Sequence, residues 1–164
     1  MSFPTPPGTG FSQEAVRQME RLAGDLRSIY ITQKAMRSDD RPPARKILVV
    51  EDQAEIRNLI RMTVKLEDHE VHEAADGDTG LAMALELQPD LVLLDVTLPG
   101  VLDGLQVCRA LKALPTPPHV LLLTARRGKE DIRAGRDAGA DAYILKPFSP
   151  LQLIGLIDQQ LGIK

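Results

Sequence analysis

Apolar and polar positions divide the chain near residue 45. Beyond it, short aliphatic runs alternate with segments whose apolar residues recur every three or four positions. Ile47-Leu48-Val49-Val50, Leu91-Val92-Leu93-Leu94, Val120-Leu121-Leu122-Leu123 and Ala142-Tyr143-Ile144-Leu145 read as strands buried on both faces, since an unbroken run leaves no polar side. Glu70 to Ala75 is more polar and reads as an edge strand. Ile56, Leu59, Ile60, Val64 and Leu66 space as one helical face. Leu81, Ala84, Leu85 and Leu87 give a second helix, stopped near Pro89. Leu105, Val107, Cys108, Leu111 and Leu114 give a third, stopped by Pro115. A charged helix is predicted over 129–138 and a last one over 150–161. Five strand–helix units in succession predict an α/β fold: a five-stranded parallel sheet, doubly wound, with helices on both faces.

Residues 1–45 follow a different pattern and are read as an N-terminal extension, leaving 46–164 as the folded domain. Proline-containing stretches bracket this segment: Pro4, Pro6 and Pro7 at one end, and 38–45 with Pro42 and Pro43 at the other, the latter read as a linker. Between them one helix is expected over about 12–37, with Ser12 as its N-cap. Met19, Leu22, Leu26, Ile29 and Met36 trace a seam at heptad-like spacing. The seam fits a helix that pairs with a second copy or a partner, and equally one that folds back on its own domain.

Composition narrows the function classes. The formal charge of −3 divides into +2 for residues 1–45 and −5 for the rest, which speaks against nucleic acid as a partner. A single cysteine, Cys108, excludes an internal disulfide and a cysteine-based zinc site. No apolar run suits a membrane span and no signal-peptide pattern is visible, so a cytoplasmic protein is expected.

In such folds function gathers at the carboxyl ends of the strands. There the sequence places Glu51 and Asp52 after the first strand, Asp95 after the third, Thr124 after the fourth and Lys146 after the fifth. Carboxylates brought together repel; two unit charges 4 Å apart cost about 4 kcal/mol at an effective dielectric of 20. A divalent cation relieves that cost, and hard oxygen ligands with room for water and a phosphoryl oxygen suit Mg2+. Lys146 would pair with a phosphate, and the Thr124 hydroxyl would donate to another of its oxygens. The chemistry suggested is phosphoryl transfer onto a carboxylate.

The runs 47–52, Pro89 to Asp95 with Leu98-Pro99-Gly100, 122–125 and Gly139 to Phe148 resemble the receiver domain of bacterial response regulators, over residues 45–162. The resemblance implies a flavodoxin-like fold and a chain that accepts a phosphoryl group at Asp95 from a sensor histidine kinase or a histidine phosphotransfer protein. It implies Mg2+ held by Glu51, Asp52, Asp95 and the backbone carbonyl of Thr97. It makes Lys146 the phosphoryl partner, Thr124 the hydroxyl that closes on it, and Tyr143 the aromatic whose rotamer reports the change to a downstream protein target. The Lys146–Pro147 bond is cis in that family.

Two residues, Val101 and Leu102, separate Pro99-Gly100 from Asp103-Gly104 where the family often has one. Thr97 and Arg126, each two residues beyond a key position, are expected to flank the phosphate. His69 and His72 have metal-like spacing, but on a strand they would point to opposite faces. His119 reads as a surface or capping residue, and no histidine lies in 1–45, which excludes a histidine phosphotransfer helix there. Few residues follow Leu161, so output through surface contacts is expected rather than through an effector domain. The rival functions are a relay intermediate or phosphate sink and a dimeric pseudo-receiver scaffold. A haloacid-dehalogenase-like phosphatase would want an acid where Thr97 stands.

Overall fold

A computed structural model describes residues 12–36 and 44–163, and the side chains of 28–36 fall outside that description. A helix α1 (Gln13–Met36) precedes five strands: β1 (Lys46–Val50), β2 (Glu70–Ala74), β3 (Leu91–Asp95), β4 (His119–Thr124) and β5 (Ala142–Leu145). The strands alternate with α2 (Ala54–Lys65), α3 (Gly77–Leu87), α4 (Gly104–Lys112), α5 (Lys129–Asp137) and α6 (Pro150–Leu161). All neighbouring strands pair in parallel, in the order β2-β1-β3-β4-β5. This is the flavodoxin-like arrangement, and the order reverses between β1 and β3. That reversal opens a crevice at the carboxyl ends of those two strands.

The apolar runs divide by the two-residue period of a strand. Ile47, Val49, Leu91, Leu93, Leu121 and Leu123 face one core, shared with Ile56, Leu59 and Ile60 of α2 and Leu153 and Ile157 of α6. Leu48, Val50, Val92, Leu94, Val120 and Leu122 face the other, against Ala84, Val107, Cys108, Leu111 and Ala138. Both faces are covered, so only edge strand β2 carries polar residues along its length.

Local signals fix the helix ends. Asp103 and Gln106 form a reciprocal capping box on α4, and Ser149 and Gln152 form another on α6, with Pro150 in the first turn. The Asp76 carboxylate accepts from the Thr79 N–H at the start of α3. Gly104 is required by close approach: a Cβ there would lie 2.0 Å from the backbone oxygen of Asp95. Asp52, although it stands just before α2, does not cap it. The N-cap is Gln53, whose side chain makes no capping bond, while Asp52 belongs to the acidic group described below.

Helix α1 folds back on its own domain. Val16, Met19 and Ala23 are its buried residues, and Met19 joins the core of α2 and α6. The expected seam therefore shifts. Met19 lies on the buried stripe, Leu26 is partly buried, and Leu22 is 50% exposed. The side chains of Ile29 and Met36, and both proline stretches apart from residues 44 and 45, lie outside the described residues. Among the described residues no helix is long and apolar enough to cross a membrane.

Two predictions follow from this packing. Met19→Ala should cost roughly 2 kcal/mol in denaturant unfolding, the low end for a buried Met, whereas Leu22→Ala should cost under about 0.5 kcal/mol. A larger loss for Leu22→Ala would mean that the helix is held by its other face. The Cys108 thiol is fully buried, and desolvation pushes it up to about 11. Thiol-reactive probes at neutral pH should label it only on unfolding. Between the ordinary 9.0 and about 11 the unfolded chain gives up that proton first. Stability should therefore fall with rising pH more steeply in the parent than in Cys108→Ala.

Candidate functional site

Strand geometry delivers the site. Glu51 and Asp52 follow β1 directly, Asp95 is the last residue of β3, Thr124 the last of β4, and Lys146 follows β5. Ladder-like bonds continue past the strands: the Glu51 N–H donates to the Ala74 carbonyl and the Lys146 N–H to the Thr124 carbonyl. The sheet thus carries its order into the residues just beyond its strand ends.

The side chains expected at the site do converge. Glu51 is 0%, Asp95 2% and Lys146 3% exposed. The Lys146 ammonium donates to Glu51 Oε1 at 2.8 Å and to Asp95 Oδ2 at 3.3 Å. The other oxygens are also held. Glu51 Oε2 accepts from the Gln53 N–H at 3.1 Å, and Asp95 Oδ1 from the Thr97 N–H at 3.1 Å. Asp52 is exposed at the mouth, and one oxygen each of Glu51, Asp52 and Asp95 lies within 4.8 Å of the others. Thr124 stands at the edge, its Oγ1 accepting from the Arg126 N–H at 2.9 Å. Tyr143 lines a small cavity of about 30 Å3 behind Thr124, with Val96, Leu105, Ile132 and Gly135, and also borders an outer groove with Leu151 and Leu156. The Lys146–Pro147 peptide bond is cis.

Charge at the site does not balance. Burial raises Asp95 above the usual carboxylate range, against the pull of Lys146. Burial and then Asp95 raise Glu51; burial and then Glu51 raise Asp52. Burial alone would lower Lys146, but Glu51 and Asp95 outweigh it and hold the ammonium charged. One cation faces three carboxylates. The donor set is all hard oxygen, partly buried and open on the Asp52 side, which is the chemistry a divalent cation takes.

The histidines take no part. His69 is buried and accepts from the Arg45 N–H through Nδ1, and His72 pairs with Glu70. His119 is exposed at the start of β4. Among the described residues Glu51, Asp52 and Asp95 form the only acidic or histidine group with metal-like spacing.

Sequence reasoning missed two supports. Arg57, in the first turn of α2, donates to the carbonyls of Glu51 at 2.7 Å and Asp52 at 3.4 Å. On a charged helix face that position carries no distinguishing signal. Asp78 accepts from the N–H groups of Val101 and Leu102, and so ties down the loop between Gly100 and Asp103. An anchor more than twenty positions earlier carries no signal in the sequence.

The family model for the response regulator receiver domain matches residues 47–158. The chain is 43% identical over 109 residues to the transcriptional regulatory protein ResD of Bacillus subtilis, covering 66% of this chain and 45% of ResD. It is 39% identical over 116 residues to the DNA-binding response regulator MtrA of Mycobacterium tuberculosis, covering 71% of this chain and 50% of MtrA. The chain thus spans about half the length of these relatives. A response regulator receiver domain protein from Methanospirillum hungatei superposes with a TM-score of 0.69 at 29% identity, covering 73% of this chain and 95% of that one. The chemotaxis response regulator CheY4 of Vibrio cholerae gives 0.68 at 29% identity, covering 72% and 99%. On its motifs, topology and acidic site together, the chain belongs to the response regulator receiver domain family of two-component systems.

Proposed function

We propose that this chain accepts a phosphoryl group on Asp95 from a phosphohistidine of a sensor kinase or phosphotransfer protein, and signals through contacts that depend on it. The observation that carries this reading is a buried Asp95 carboxylate 3.3 Å from the Lys146 ammonium, inside a three-carboxylate group. An Asp95 oxygen attacks phosphorus, the P–N bond breaks, and the imidazole leaves with the electron pair. Lys146 pairs with the transferred group and screens it from Glu51. Glu51, Asp52, Asp95 and the Thr97 carbonyl would hold Mg2+, which neutralises charge on the phosphoryl oxygens. Hydrolysis of the aspartyl phosphate by water at the same site makes the chain a self-catalysing phosphoacceptor rather than an enzyme acting on a separate substrate. We place it in the cytoplasm, where such donors present their histidines.

The response is a two-state change. The Thr124 hydroxyl accepts from its own loop and has a proton free to donate. Closing on the phosphoryl group would draw it off the cavity that Tyr143 lines. Tyr143 would then swing inward, and the outer groove along β5 and α6 would change shape.

Incubation with Mg2+ and acetyl phosphate should add one phosphoryl mass to the intact chain. Asp95→Asn should remove the adduct, and Lys146→Gln should cut its formation by at least about 100-fold, the scale of one lost charge-stabilising group. An adduct of equal yield on Asp95→Asn would refute the assignment. The same crowding predicts a stability effect. Without metal at neutral pH, Asp95→Asn should melt higher than the parent, because it removes a charge that burial disfavours while Lys146 keeps Glu51 as its partner. Added MgCl2 should raise the melting temperature of the parent and leave Asp95→Asn nearly unchanged, as differential scanning calorimetry can check.

A further inference from the structure

Arg57 lies outside the acidic group, yet it touches the backbone of two of its members. Its Nη1 donates to the Glu51 carbonyl at 2.7 Å and to the Asp52 carbonyl at 3.4 Å. Its Nε faces Glu73 Oε1 on β2 at 3.5 Å, while Arg61 approaches the other oxygen of Glu73 at 3.8 Å. The Arg57 side chain is only 21% exposed, so the guanidinium is lodged against the loop rather than spread in solvent. Glu51 then has its backbone N–H held by Ala74, its carbonyl by Arg57 and its carboxylate by Lys146 and Gln53. Asp52 differs. It is exposed, and the direction of its carboxylate rests on the peptide that carries it.

We propose that Arg57 is a positioning residue for the divalent cation: it fixes the Glu51–Asp52 peptide so that both carboxylates converge with Asp95, and Glu73 holds the guanidinium in place. The guanidinium sets Nη1 on the two carbonyls while Nε, a separate nitrogen of the same plane, faces Glu73; a lysine has a single nitrogen and cannot divide the two tasks in that geometry. The inference rests on the metal-assisted function above but makes a claim of opposite sign to simple electrostatics. Arg57 is a cation near a cation site. By charge alone, removing it would tighten Mg2+ binding; by positioning, removing it loosens the site.

The test is calorimetric titration of the unphosphorylated full-length chain with MgCl2 alone. Arg57→Ala should weaken binding by about 10-fold or more, the range for outer groups that orient metal ligands. Arg57→Lys should recover only a small part, and Glu73→Gln should weaken binding less than Arg57→Ala does. Arg61→Ala, which shares Glu73 but leaves the loop alone, should bind as the parent does. Unchanged or tighter binding in folded Arg57→Ala overturns the proposal. Should Arg57→Ala not fold, parent-like binding by Arg57→Lys overturns it equally, because charge without the fork would then suffice. A purely structural role would lower the metal-free melting temperature and leave Mg2+ affinity alone. Loss of binding in the parent itself would instead sink the metal-assisted function, and this inference with it.

Discussion

One ammonium group among three carboxylates organises this molecule. Lys146 is buried with Glu51 and Asp95, and its bonds to them join strand ends that lie on opposite sides of β4. Removing one member of a buried ion pair costs more than the pair contributes, because the remaining charge is left without compensation. Loss of Lys146 would therefore cost stability as well as the contact proposed for the phosphoryl group. Burial, joined at Glu51 and Asp52 by a neighbouring carboxylate, keeps all three carboxyls above their usual range, and one ammonium does not offset it. A site left in that state has an electrostatic reason to take up a metal ion and, with the ion, a phosphoryl group.

The rest of the fold keeps this unfavourable arrangement in place. Both faces of the sheet are sealed by aliphatic side chains, so water reaches the acidic group only from the strand ends. The loops there are tied by backbone bonds. Thr97 N–H goes to Asp95, Gln53 N–H to Glu51, and Val101 and Leu102 N–H to Asp78. Gly104 lets α4 begin against the Asp95 backbone, where any side chain would collide. Each of these is a short-range device acting on a position set by long-range strand order.

Those two ranges decide what the sequence could reveal. Strands β1, β3 and β4 were legible because burial on both faces forces continuous aliphatic runs, and the site was legible because strand ends are fixed by those runs. The face used by α1 was not. A heptad-like stripe reports that a surface is buried and leaves its partner open, and Val16, Met19 and Ala23 satisfy the same spacing as the seam read through Leu22. Asp52 stands just before α2, yet the N-cap is Gln53, and no local pattern separates an acid that caps from one that joins neighbouring acids. Arg57 and Asp78 were invisible for a related reason. Their acceptors and donors are backbone groups, which every residue has, so no side-chain pattern announces them.

The distribution of anchors also says where a phosphoryl group can move the structure. The β1 and β3 side of the crevice is pinned by Lys146, Arg57, Gln53, Thr97 and Asp78. The β4 side is held far more lightly. Within α5 Gly135 is the only buried residue, and the helix is mostly charged. The Thr124 hydroxyl is engaged by one bond from the next loop. A bound group can shift an equilibrium only by what it gains in one state over the other. On the β4 side, under the proposed function, the Thr124 hydroxyl would donate its proton to a phosphoryl oxygen, beside the cavity that Tyr143 lines. Under the proposed function, the lighter anchoring of the β4 side would direct the response into α5, β5 and the groove beside α6.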